Sequence, residues 1–84
     1  MAMEILVSSV AATLTTAAFV PQALHIIRHK ETRAISLQMY VAFAIGVAFW
    51  LLFGFMIWNW PMIVANTITL ALALTILGMK LKYG

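Results

Sequence analysis

The sequence predicts an all-α membrane protein whose chain crosses the bilayer three times. Of its 84 residues, 65% are hydrophobic and only 8% are charged. The mean hydropathy is +1.08. A soluble domain this small buries the smallest share of its surface, so it could not hide so much apolar area from water. The apolar residues also fall into three long runs parted by short polar breaks, which reads as a single transmembrane domain over residues 1–84.

The first run, Ile5 to Ile27, holds no charge beyond a titratable His25. The second, Ile35 to Trp58, and the third, Met62 to Met79, hold none. Each suffices to cross a hydrocarbon core of ~30 Å at ~1.5 Å per residue, the third only just. No water reaches the backbone there, so these runs must be helices. A barrel would need alternation and more, shorter segments. The first run reads as a span, because Glu4 is its only preceding charge and no basic n-region marks a cleavable signal peptide.

The breaks are equally plain. Arg28-His29-Lys30-Glu31-Thr32-Arg33 is a polar loop, and Asn59-Trp60-Pro61 is a tight turn. Pro61 suits the first turn of a helix, where no backbone donor is needed. Trp58 and Trp60 suit an interfacial aromatic belt. All five Lys and Arg residues (Arg28, Lys30, Arg33, Lys80 and Lys82) lie in the first loop or at the C-terminus. Three crossings put those two regions on one side. The positive-inside rule makes that side the cytoplasm and puts the N-terminus outside.

The same distribution argues against nucleic acid as a partner, since the cations form two short clusters and no long stripe. There are no cysteines, hence no disulfides or thiolate metal sites. No Ser/His/Asp set, phosphate-binding Gly-rich loop or metal-ligand cluster is visible, and the chain does not read as an enzyme. No carboxylate sits within a span, which argues against ion coupling through a buried acid.

Some residues ask for more than a lipid-crossing role. Pro21 lies inside the first run and cannot donate to the carbonyl of Ala17. With Gln22 beside it, it reads either as a tolerated kink or as a hinge for the lower half of the helix. Ser9, Thr13 and Thr16 share one helix face, as a small-residue packing seam or a pore lining. Trp50 and Asn66 fall at one depth on different spans, roughly 5 to 7 Å above the midplane. An indole face and a primary amide together suit a sugar, one stacking on C–H groups and the other bonding hydroxyls. The plainer alternative is an interhelical amide bond. Met39, Tyr40 and Phe43 form a bulky group in the cytoplasmic half of the second span, as packing or as a plug. His25 reads as a solvated or snorkelling side chain near the inner interface.

Pro21-Gln22, Thr32-Arg33-Ala34-Ile35-Ser36, Met39-Tyr40, Trp50 and Asn66, in that order, resemble the SemiSWEET sugar transporters of the PQ-loop superfamily. The resemblance spans essentially the whole chain. It implies a three-helix bundle that forms a parallel homodimer in the bacterial inner membrane, with one path along the two-fold axis. It implies passive transport of mono- or disaccharides such as glucose or sucrose, by alternating access and without a cofactor. Trp50 and Asn66 would hold the sugar, Pro21 and Gln22 would be the hinge, and Met39, Tyr40 and Phe43 the inner gate. Relatives often carry charges near the outer end of the second span. Here that stretch is apolar, and Phe55 is the candidate outer gate.

The dimer also has a physical argument. Three close-packed helices leave no hole for a hydrated solute, whereas a symmetric pair can enclose one. The competing classes are a small pore-forming, holin-like protein, a non-transporting subunit of a larger complex, and a four-helix multidrug exporter. The ordered motifs count against the first, copurification with an unrelated subunit in place of a self-dimer would mark the second, and the lack of a carboxylate inside a span counts against the third.

Overall fold

The computed structural model describes residues 2–84. It contains three helices: α1 (Ala2–His29), α2 (Leu37–Ile57) and α3 (Trp60–Tyr83). All three are long and apolar enough to cross a membrane. The fold class is therefore the expected one, and the helix ends differ from the hydropathy boundaries for local reasons.

α1 runs past the apolar segment to His29 and closes with a left-handed residue. Lys30 takes φ 55°, and the Glu31 amide donates to the Ile26 carbonyl at 3.2 Å. This is the Schellman pattern that satisfies orphan carbonyls at a helix end. α2 starts later than the apolar run because Ser36 caps it: the Ser36 hydroxyl accepts from the Met39 amide at 3.2 Å. It ends at Ile57 because Trp58 turns left-handed at φ 53°. The next residue, Asn59, then caps α3, its side-chain oxygen accepting from the Met62 amide at 3.3 Å. Pro61 follows in the first turn. Pro21 leaves α1 unbroken in its helical assignment.

The helices are not arranged in chain order. α3 packs against both α1 and α2, and no Cα of α1 lies within 8 Å of one in α2. The molecule measures 44 × 21 × 14 Å. Its smallest dimension is close to the ~10–12 Å diameter of one helix, so the protein is a single layer of three helices with α3 in the middle.

The tightest packing is in the half that carries the first loop. Ala23, Tyr40, Ala44, Ala73 and Ile76 form the buried cluster there. Three of these five are alanines, which let helix backbones approach closely. Phe19 and Phe43 meet across α1 and α2 with ring centroids 5.7 Å apart. Lys80 locks the loop to α3: its ammonium donates to the Thr32 carbonyl at 3.0 Å and the Arg33 carbonyl at 3.3 Å. At the opposite end α1 and α2 stand apart, and the cleft between them exposes one side of α3.

Candidate functional site

The cleft is the setting for the two residues singled out by depth. Trp50 from α2 and Asn66 from α3 line one groove of about 460 Å³, whose far wall is α1 at Val7, Ser8, Ala11 and Thr15. That volume falls within the ~300–1,000 Å³ usual for small-molecule sites. The walls are mainly apolar, with a few polar groups pointing in.

Asn66 is half-buried, and its Nδ2 donates to the Met62 carbonyl at 2.9 Å. This bond fixes the amide and uses one of its two N–H groups. The second N–H and the carbonyl oxygen remain free for a ligand. The plainer reading, an interhelical amide bond, is not what Asn66 makes; its bond stays within α3. Trp50 is 57% exposed, so much of its ring is uncovered where it borders the groove and the neighbouring hollow at Gly46 and Phe49. Phe53 braces it edge-on, with centroids 6.0 Å apart. A supported indole with a free face is well prepared for stacking.

Three hydroxyls on the groove were not singled out from the sequence: Ser8, Thr15 and Thr69. Thr15 donates to the Ala11 carbonyl at 3.0 Å, leaving its oxygen able to accept. Ser8 accepts from the Nδ2 of Asn59 at 2.7 Å. Asn59 is buried at 6% exposure, so this bond clasps the N-terminal end of α1 to the α2–α3 turn. The signal available in sequence was the helical spacing of Ser8, Ala11 and Thr15, one residue out of register with the face chosen above.

That neighbouring face looks elsewhere. Ser9, Thr13 and Thr16 line a separate crevice of about 200 Å³ with Trp60, Pro61 and Ile68. It opens on the α1–α3 seam away from Asn66, and Ala12 borders both cavities. The Thr16 hydroxyl is buried there without a hydrogen-bond partner.

The remaining predicted residues do not reach the groove. Pro21 and Gln22 are exposed on the lower half of α1. Met39 is 53% exposed and Tyr40 only 8%, so of these two neighbours on α2 Tyr40 faces the packed cluster and Met39 does not. Phe43 sits between them, with its ring 6.1 Å from that of Tyr40 as well as against Phe19. Phe55 is half exposed and pairs with Trp58, their rings 6.4 Å apart.

Comparison with known proteins gives this geometry a family. A model of the PQ loop repeat matches residues 4–60. The chain is 44% identical over 82 residues to "Sugar transporter SemiSWEET" of Leptospira biflexa, a match covering 98% of this chain and 96% of that protein. It is 40% identical over 79 residues to "Sugar transporter SemiSWEET" of Bradyrhizobium diazoefficiens, covering 94% of this chain and 92% of that protein. The crystal structure of SemiSWEET in the inward-open conformation superposes with a TM-score of 0.89 at 38% identity, covering 98% of this chain and 88% of that one. The chain belongs to the SemiSWEET group of the PQ-loop repeat family.

Proposed function

We propose that this protein is a passive sugar transporter, not an enzyme, that works as a parallel homodimer by alternating access. The observation that carries the reading is the meeting of Trp50 and Asn66 on one 460 Å³ groove. The relatives it resembles over nearly their whole length are named sugar transporters. The indole would stack on the C–H face of a mono- or disaccharide, glucose or sucrose being the simplest cases. The free amide groups of Asn66 would bond its hydroxyls.

Shape supports the dimer. A layer 14 Å thick has no interior of its own for a hydrated solute. A second copy laid face to face closes the groove and doubles each site residue around the two-fold axis. Both copies must run parallel to present that face to the same compartment. The charges of the spans lie in their end turns and none in their middles, which supports transport driven by the sugar gradient without a coupled ion.

In this reading Met39, Tyr40 and Phe43 belong to the inner gate, Phe55 to the outer gate, and Pro21 with Gln22 to the hinge. The first loop and the C-terminus face the cytoplasm of a bacterial inner membrane, and the N-terminus faces outward. The test is radiolabelled sugar uptake into liposomes. Wild-type protein should equilibrate sugar without a proton gradient, and Trp50→Ala and Asn66→Ala should each lower the rate at least tenfold. Wild-type rates in both variants would remove the site, and a strict need for a proton gradient would remove the passive mechanism.

A further inference from the structure

The groove beside Trp50 and Asn66 contains a hydroxyl that no other described residue engages. α3 carries three threonines, Thr67, Thr69 and Thr75. Thr67 donates to the Ile63 carbonyl at 2.7 Å, and Thr75 to the Ala71 carbonyl at 2.8 Å. Both are exposed, and a bond to the carbonyl four residues back is the local way for a helical threonine to satisfy its hydroxyl. Thr69 does not make that bond. Its hydroxyl has no hydrogen-bond partner among the described residues.

The exception is the one threonine of α3 that lines the groove. Asn66 and Thr69 are three residues apart and share a face of α3, with Thr69 about 4.5 Å farther along the helix at ~1.5 Å per residue. On the facing α1 wall, Thr15 already donates to the Ala11 carbonyl at 3.0 Å, so it offers a ligand only an acceptor. Thr69 offers an O–H donor and the lone pairs of its oxygen. It is half-buried in a groove whose walls are mainly apolar. A hydroxyl left unbonded in such a place costs free energy, and a ligand rich in hydroxyls removes that cost.

We propose that Thr69 is a specificity-determining residue, which hydrogen-bonds a sugar hydroxyl other than the one held by Asn66. The inference rests on the transport reading and deepens it. Stacking on Trp50 sets the plane of a pyranose without choosing among sugars, because it uses the apolar C–H face. Asn66 and Thr69, about one turn apart on one helix, then meet different parts of the stacked ring. A site built to bond a hydroxyl rejects the analogue that lacks it, because its own polar group is left unpaired. Thr69 therefore selects between sugars that differ at the position it meets.

The test uses Thr69→Val, which keeps the branched shape and loses the hydroxyl, and Thr69→Ser, which keeps the hydroxyl. Thr69→Ala is a second hydroxyl-free variant. Proteoliposomes take up radiolabelled glucose or sucrose, whichever the wild type equilibrates, and unlabelled monodeoxy analogues of that sugar compete. In wild type at least two analogues should compete about fivefold more weakly than the parent sugar, the effect of one net hydrogen bond. Thr69→Val and Thr69→Ala should each weaken the parent sugar about fivefold. They should also lose discrimination against at least one analogue while keeping it against another. Thr69→Ser should keep the wild-type pattern.

Unchanged affinity for the parent sugar in both hydroxyl-free variants overturns the assignment. A loss that falls equally on the parent sugar and on every analogue also overturns it, because a packing or dimer-contact role would act on all of them alike. Absence of uptake of both glucose and sucrose by wild type tells instead against the transport reading.

Discussion

Asn59 shows how much one side chain can hold beside a groove residue, Ser8. Its oxygen caps α3, and its Nδ2 reaches Ser8 at 2.7 Å. A lost cap costs about 1 kcal/mol, and an interhelical side-chain bond in a membrane protein averages about 0.6 kcal/mol. Asn59→Ala loses both terms and should destabilise the protein more than Ser8→Ala, which leaves the cap intact. Thermal unfolding in detergent should rank wild type above Ser8→Ala above Asn59→Ala; the reverse order of the two variants would refute the clasp. At Trp50 the reading predicts a graded loss of uptake. Trp50→Phe keeps a stacking face and should retain more transport than Trp50→Ala.

Residue type and depth made Trp50 and Asn66 legible, because an amide and an indole inside apolar spans stand out against leucine and alanine. The α1 lining was not legible. Ser8 and Ser9 are adjacent and equally polar, and α1 in lipid is apolar nearly all round. Its periodicity therefore gives no preferred inward direction. Which serine faces the groove is decided by where α3 packs, and that is a tertiary fact. The proximity of His25 to Glu31 was hidden for a similar reason: the left-handed turn at Lys30 brings the loop back beside the helix.

At the level of elements, the breaks were readable from charge and proline, and the ends were corrected by caps. The order in space was not readable. The loop and turn are both short, and short connections do not say that α3 lies between α1 and α2. Close approach of α2 to α3 depends on Gly54. A Cβ there would lie 3.2 Å from Cγ1 of Ile63 and 3.5 Å from its backbone nitrogen. Gly54→Ala should therefore be tolerated only if the Ile63 side chain shifts, while Gly54→Leu should push α2 off α3. Detergent unfolding should show a small change for the first and a large loss for the second. Pro21 makes the opposite trade. Pro21→Ala restores a partner to the Ala17 carbonyl and should raise the unfolding temperature while slowing uptake. Faster or unchanged uptake would refute the hinge.

The whole molecule is a thin layer with its packed cluster at one end and a cleft at the other. That shape explains why so many large apolar side chains lie exposed, among them Phe49 at 64% and Leu14 at 65%. Lipid covers part of this surface, and the dimer reading assigns the grooved face to a second copy. Its central claim is that neither chain transports alone, because each supplies half of one site. The most direct measurement uses mixed dimers. One copy is wild type and the other carries Trp50→Ala with Asn66→Ala, the pair isolated through two different tags and placed in liposomes. A shared site predicts uptake below a tenth of the wild-type dimer. Uptake near half of wild type would mean that each chain carries its own path, and would contradict the account.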